Sequence, residues 1–456
     1  MWHLGARETE MPEPTLFALP EAAPERVSPP TRPEEARVVR PVRDQVQFVP
    51  QTLDSLIPPT HPARAIWRLL EQLDLTGFYR DIQAVVERPG RPATDPQVLL
   101  ALWLLATADG IGSARRLERL CSEHAAYRWV CGGVPVNYHT LSDFRVGRQA
   151  QLDDLLTQLL ASLMATNLVT LQRVAQDGVR VRASAGAASF HRQTSLERCL
   201  TDAQRQVARL GYERDHPTPG VTRREQAARE RAARAQEARV RQALAALPRV
   251  QATKARQQTT YTAERRARVS VPRLSTTDPE ARVMKMPDGG FRPAYNVEVA
   301  TDAAHGIIVG VAVTNAGGDA GQAAPMEAQV AERTGRHPQA YLMDGGFATH
   351  PDITILERRG VTVYAPVPPP RSHPPAQRFR PHVGDRPEVS QWRQRMSTAT
   401  AQAVYRERAA TAEWTNAQLR GHGLGQFTVR GLAKVTAVML LLAISHNLLR
   451  WASVLT

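Results

Sequence analysis

Two hydrophobic periods alternate along this chain, and the place where one interrupts the other limits what it can fold into. In 169–182, Asp177, Val179 and Val181 share one parity while Arg180 and Arg182 take the other, the alternation of a strand with two unlike faces. The same period returns in Ala294-Tyr-Asn-Val-Glu-Val-Ala-Thr301 and Gly306-Ile-Ile-Val-Gly-Val-Ala-Val313, joined by the short turn Asp302-Ala-Ala-His305. Between them, 191–270 is helical in pattern. Leu196, Leu200, Ala203, Val207 and Leu210 recur at spacings of four and three, a seam that wants a partner helix. Pro217-Thr-Pro-Gly220 breaks the chain, and a second helical stretch from about 222 to 247 carries Val240, Leu244 and Leu247 on one stripe, with Pro248 ending it. The sheet is therefore assembled across a helical-hairpin insertion.

Downstream, 326–333 reads as a helix, Ala340-Tyr-Leu-Met-Asp344 as a short strand stopped by Gly345-Gly346, and 360–365 as the last strand. A Pro-rich loop over 366–387 leads to 401–420, which has no Pro or Gly and is rich in helix formers. Upstream, Ile66, Leu69, Leu70 and Leu73 place an amphipathic helix over 63–75. Asp95 and Pro96 form a cap and first turn for an almost wholly apolar helix to Ala106. Ser113 caps Ala114-Arg-Arg-Leu-Glu-Arg-Leu120, and another helix starts near Thr140. The fold class is α/β: a mixed sheet flanked by helices, an all-α N-terminal domain and a helical insertion.

Three carboxylates stand out. Asp177 lies on a strand, Asp344 ends one, and Glu413 is helical. An acid at a strand end is most often a turn residue and a helical Glu a solvated charge, so it is the conjunction that matters. Two strand aspartates and one helical glutamate can converge on hard cations such as Mg²⁺ or Mn²⁺. Two such ions roughly 3.5–4 Å apart stabilise the attacking and leaving oxygens of an in-line phosphodiester displacement. At 100° per residue, Tyr405, Arg408, Glu413 and Arg420 fall within an arc of about 140° on one helix face. Such a stripe suits phosphate, though ordinary surface salt bridges would look similar.

At these residues the chain resembles the bacterial insertion-sequence transposases of the DDE type. The family's closing signature is a Tyr, two residues, an Arg, a few residues, the catalytic Glu, six residues and a Lys; here it is Tyr405, Arg408, Glu413 and, in place of the Lys, Arg420. Asp177 in Gln-Asp-Gly matches the first catalytic acid and Asp344 in Met-Asp-Gly-Gly-Phe347 the second. Ser275-Thr-Thr-Asp-Pro-Glu-Ala-Arg282, Gly90-Arg-Pro-Ala-Thr-Asp-Pro96 and Tyr138-His-Thr-Leu-Ser-Asp-Phe-Arg145 resemble further family segments in the same order. The resemblance runs from about residue 45 to the end. It implies an RNase H-like catalytic core over 166–190 and 271–456, interrupted by 191–270, behind a DNA-binding domain over 45–165. It also implies Asp177, Asp344 and Glu413 as ligands of two Mg²⁺ or Mn²⁺ ions, with Tyr405, Arg408 and Arg420 on phosphate. The activity implied is binding of terminal inverted repeats, end cleavage and transfer of the 3′-hydroxyl into target DNA by a dimer or larger synaptic complex. A stand-alone nuclease and a non-catalytic DNA-binding relative are the alternatives.

The charge balance agrees with a polyanionic partner: net +14, with a pI near 10.4. In the N-terminal helices, Arg115, Arg116, Arg119, Arg128, Arg145 and Arg148 are candidate contacts to double-stranded DNA in a helix-turn-helix arrangement, against the competing reading of a solvated face. His139 is expected as a cap or core residue. In the insertion, 221–256 carries ten Lys or Arg against three Glu, a surface that suits a DNA clamp or simply solvent. Asn296 and Asp319 are polar candidates near the site. Trp414 adjoins Glu413, and its direction is open. Cys121, Cys131 and Cys199 make no Cys-x-x-Cys pair, so neither a disulfide framework nor a zinc site is expected. Residues 1–44, rich in Pro and mixed charge, read as a flexible tail. The start lacks an apolar signal core, and the apolar run 435–444 is too short to span a bilayer. A cytoplasmic, nucleoid-associated protein without a membrane partner is expected.

Overall fold

The computed structural model describes residues 46, 50–84, 92–216, 220–259, 262, 264, 266, 271–369 and 377–455. Residues 1–50 and 51–456 are separate units; in the first only Val46 and Pro50 are described, so the expected tail over 1–44 lies outside the described residues. The second unit begins with α1 (Pro62–Leu70), whose His61 side chain accepts from the Ala63 N–H. It ends five residues earlier than expected; Leu73 and Leu75 reach the core from the turn before α2 (Thr76–Tyr79). In α3 (Pro96–Ala108), Asp95 accepts from the Gln97 N–H at 2.8 Å, and every residue from Val98 to Ala106 is buried. Next come α4 (Ala114–Glu123), capped by Ser113, α5 (Ala125–Cys131), α6 (Tyr138–Gly147), capped by Asn137, and α7 (Gln149–Ala165).

Strand β1 (Arg173–Arg182) is followed by the insertion. Its two-residue strands β2 (Phe190–His191) and β3 (Leu274–Ser275) pair antiparallel and bracket α8 (Gln193–Asp215) and α9 (Arg223–Gln258). The two helices form the expected hairpin: Leu196, Ala203 and Leu210 of α8 are buried, as are Ala233, Val240, Ala243 and Leu247 of α9. Thr222 and Glu225 close a capping box at the start of α9. Pro248 does not end α9, which continues to Gln258. Pro248 is on the exposed side of the helix.

The main sheet has six strands: β1, β4 (Arg282–Lys285), β5 (Phe291–Asp302), β6 (Ile307–Thr314), β7 (Ala340–Leu342) and β8 (Thr362–Tyr364). Long β5 pairs antiparallel with β4 through its first residues, with β6 through its last, and with β1 along its other edge. β1 then pairs parallel with β7, and β7 with β8. Parallel strands need crossovers, supplied by α10 (Ala323–Thr334) before β7 and α11 (His350–Arg358) before β8. After α12 (Pro387–Met396), α13 (Ala399–Gly421) lies over the β1 face that carries Ala175, where Ala340, Leu342 and Ala412 meet. The opposite face of β1 carries Gln176, which bonds Tyr341 and the Gln322 carbonyl just ahead of α10.

The last helix, α14 (Leu432–Leu455), extends beyond the apolar run 435–444 at both ends, so that by length and composition alone it could cross a membrane. In this structure 67% of its most apolar stretch is buried inside the protein. Ser445 donates to the Leu104 carbonyl of α3, and the Asn447 amide both donates to Ile308 O and accepts from Ile308 N–H on β6. These bonds make it a core helix holding the N-terminal helices to the sheet.

Candidate active site

Asp177 is in the middle of β1, on the Ala175 face, beneath α13. Asp344 follows the last residue of β7 by two positions, and its Oδ1 accepts from the Gly346 N–H at 2.7 Å. Parallel pairing of β1 with β7 places both acids on the α13 side of the sheet. The inner face of α13 is made of small or short residues, Ala401, Ala412, Thr415 and Asn416, with Leu419. They let the helix approach closely enough for its polar side chains to reach β1.

Arg408 joins the two aspartates. Its guanidinium Nη2 is 3.2 Å from Asp177 Oδ1 and 3.8 Å from Asp344 Oδ2. Asn416 donates from Nδ2 to Asp177 Oδ2 at 2.9 Å. Burial raises the Asp177 carboxyl above the usual carboxylate range, opposed by Arg408 and by the Gly178 amide. Tyr405 is half-buried beside the group; burial raises its phenol, and the charges of Asp344 and Asp177 add to that. Arg408 Nε is buried and donates to nothing among the described residues.

A second polar layer lies behind Asp177. Asn296 Nδ2 donates to Glu298 Oε1 at 2.7 Å and to Asp319 Oδ1 at 3.0 Å, while Gln176 donates to Glu298 Oε2 at 3.1 Å. Gln176 in turn accepts from the Tyr341 hydroxyl at 2.8 Å. Glu298 is fully buried; burial and the charges of Asp319, Asp177 and Asp344 push its carboxyl up to about 8, against the pull of the Gln176 bond. Gly178 is opposite Glu298, and a Cβ there would come within 3.2 Å of both Asp319 Oδ1 and Glu298 Oε1. A Cβ on Gly346 would sit 3.2 Å from Asp319 Oδ2 and 3.0 Å from Asp344 Oδ1. Asp319 is thus wedged between the glycines that follow the two aspartates. Their lack of a side chain is a matter of space, since neither has a positive φ.

The structure brings together Asp177, Asp344, Tyr405 and Arg408, and it places Asn296 and Asp319 beside them. It does not bring in Glu413, which is exposed and makes no hydrogen bond or ion pair among the described residues; Asn416, one turn later, takes the place facing Asp177. Arg420 is likewise exposed. Trp414 turns away from the aspartates and packs against Gly306, His446 and, beneath the Arg450 guanidinium, α14. Burial lowers His446 to about 4. Of the N-terminal arginines, Arg115, Arg116, Arg119 and Arg128 are exposed, and Arg148 pairs with Asp81. Arg145 corrects the expectation of a DNA contact: it is 6% exposed, donates to the Gly112 carbonyl at 2.6 Å and stacks over Trp103. His139 is also corrected, being exposed and tilted against the Tyr138 ring rather than capping or buried. Residues that sequence reasoning missed are Asn416, Glu298 and Gln176. Asn416 lies on the same helical arc as Tyr405, which was its available signal; Gln176 and Glu298 carried none beyond being polar within strands.

Among the described residues no three His, Cys, Asp or Glu side chains form a ready metal cage. Two hard carboxylates sharing one cation do fit Mg²⁺, which is commonly held by one or two carboxylates with water and substrate phosphate completing its shell. Residues 374–452, which include Tyr405, Arg408, Glu413, Asn416 and Arg420, match the family model described as Transposase DDE domain. Residues 51–147, which hold α1 to α6, match Transposase domain (DUF772). Both matches support an insertion-sequence DDE transposase. No curated protein and no solved structure matches it. Asp177 and Asp344 fall between the two matched segments of the chain, so their place in the site rests on geometry.

Proposed function

We propose that this transposase binds the terminal inverted repeats of an insertion sequence, cleaves DNA at the element ends and transfers the freed 3′-hydroxyls into target DNA. The observation that carries this is the Arg408 bridge between Asp177 and Asp344, with Tyr405 alongside and within the segment that matches the transposase DDE domain. The element order supports an RNase H-like core: three antiparallel strands, then helix, parallel strand, helix, parallel strand and a closing helix. In this reading 45–165 reads DNA, 166–190 with 271–456 does the chemistry, and 191–270 is an insertion. The protein acts on double-stranded DNA as a dimer within a synaptic complex, in the cytoplasm at the nucleoid.

Asp177 and Asp344 would hold the cations, and Glu413 would complete the set once the α13 surface meets substrate. Bound there, two Mg²⁺ or Mn²⁺ ions would lower the pKa of the attacking water and offset charge on the attacking and leaving oxygens. Arg408 screens the two aspartates from each other in the free protein and would offer its guanidinium to a substrate phosphate. Asn416 orients Asp177 through Oδ2, leaving Oδ1 toward Arg408. Tyr405 bounds the same space, and Arg420, exposed farther along α13, is placed for flanking strand.

The exposed position of Glu413 favours a second reading, a DNA-binding relative that has lost catalysis. Incubating the protein with duplex oligonucleotides carrying the repeats that flank its gene, in Mg²⁺ or Mn²⁺, separates these. Cleaved and joined products support the transposase, cleavage alone a nuclease, and binding alone the non-catalytic relative. Asp177→Asn and Glu413→Gln are each expected to abolish cleavage; a fully active Glu413→Gln would remove Glu413 from the site.

A further inference from the structure

We propose that α9 is a rigid arginine rail that grips the phosphate backbone of duplex DNA outside the active site. The buried seam of α9, Ala233, Val240, Ala243 and Leu247, faces α8 and the base of the hairpin. Taking 100° per residue, Arg223, Arg224, Arg231, Arg234, Arg241, Arg249 and Arg256 fall within an arc of about 100° whose centre is opposite that seam. All seven are exposed. Arg234 and Arg241 pair with Glu230 and Glu237 on the flank; Arg223, Arg224, Arg231, Arg249 and Arg256 have no carboxylate partner among the described residues. The positions between them on the arc are Ala227, Ala238, Gln242, Ala245 and Ala252. That face therefore carries neither an acid nor a large apolar or aromatic side chain. A membrane surface would require apolar residues to bury, and single strands would require aromatic platforms; phosphates of a duplex require neither.

The length also fits. Arg224 and Arg249 are about 37 Å apart at 1.5 Å per residue, close to one turn of duplex DNA at about 34–36 Å. A helix of that length laid along the duplex would meet the same groove edge at both ends. The rail is anchored to the catalytic fold at mid-length: Leu196, Ala243, Leu247 and Leu274 pack together, and Arg239 donates to the Thr276 carbonyl at 3.4 Å. Arg223 to Arg234 consequently project outward on the hairpin, and DNA held there is held at a fixed position relative to Asp177 and Asp344. This inference rests on the transposase reading only for the identity of the polyanion.

The test is equilibrium binding of the full chain to a long duplex across a series of NaCl concentrations. Arg224→Gln/Arg231→Gln/Arg249→Gln/Arg256→Gln is expected to reduce the slope of log K against log salt by about 3 to 4, four phosphate contacts at roughly 0.9 each. A control with charge removed from the other helix, Arg198→Gln/Arg205→Gln/Arg209→Gln, should keep the slope, and both variants should keep the circular dichroism melt of the parent. An unchanged slope in the rail variant, or an equal drop in the α8 control, overturns the proposal; so does loss of binding to phosphatidylserine vesicles with DNA binding intact. Asp177→Asn should retain the full slope. If Asp177→Asn still cleaves, the active-site reading fails while the rail is judged by its own slopes.

Discussion

Glu298 makes the stability of this protein depend on pH in a calculable way. Its carboxyl is fully buried, accepts from Gln176 and Asn296, and faces the charges of Asp319, Asp177 and Asp344. It titrates at about 8 in the folded protein against 4.5 in the free side chain. Between those values the native state holds a proton that the unfolded chain has released, so stability falls as pH rises. The contribution is fully present below about pH 4.5 and gone once pH passes about 8. At 1.36 kcal/mol per unit the whole window is worth about 5 kcal/mol. Glu298→Gln removes the titration while leaving one donor facing donors, since Gln176 is fixed by Tyr341 and Asn296 by Asp319. The substitution should therefore cost about 1–3 kcal/mol at pH 5, and the variant should be the more stable form at pH 8.5. The measurement is urea unfolding followed by tryptophan fluorescence from pH 5 to 8.5, parent and variant side by side so that all other titrations cancel. A stability difference that does not change with pH would refute the reasoning.

Arg408→Gln should lower single-turnover cleavage about 10²–10³-fold, while leaving affinity for the inverted repeat within a few-fold in a gel-shift titration. Asn416→Ala removes the amide that orients Asp177 and should slow cleavage about 10-fold or more, consistent with the worth of a hydrogen bond to a charged group. Gly306→Ala places a Cβ 2.6 Å from Trp414 Cζ3 at a φ of 68° and should destabilise the protein by about 3 kcal/mol, seen as a lower thermal midpoint. Arg145→Met loses the Gly112 bond and the stack on Trp103; a thermal melt should report a loss of about 2 kcal/mol, with DNA affinity per folded molecule unchanged.

Much of the architecture is legible because its signals are local. The alternation around Asp177, the 294–301 and 306–313 hairpin, the capped apolar helix after Asp95 and the antiparallel hairpin of the insertion all appear where their periods place them. Two signals mislead. Pro248 reads as a helix end, yet α9 continues through it to Gln258 with the proline on the exposed side. The apolar residues of 435–444 give only part of the last helix, because polar Ser445, His446 and Asn447 are buried inside α14 and bonded to neighbouring backbone.

Residue type and spacing by themselves determined that Asp177 is on a strand, that Asp344 follows one, and that Tyr405, Arg408 and Glu413 share a helix, because each of these depends only on neighbours within a few residues. Which side chains of that helix touch the aspartates was decided by tertiary structure alone. Periodicity defines a face only to within a wide arc, and the rotation of α13 is set by what must be buried. Ala412, Thr415 and Leu419 turn inward onto the sheet, which brings Arg408 and Asn416 over Asp177 and leaves Glu413 on the rim. The wedge of Asp319 between Gly178 and Gly346 is likewise a product of packing, since it joins three segments that are distant in sequence and close only when the sheet is formed.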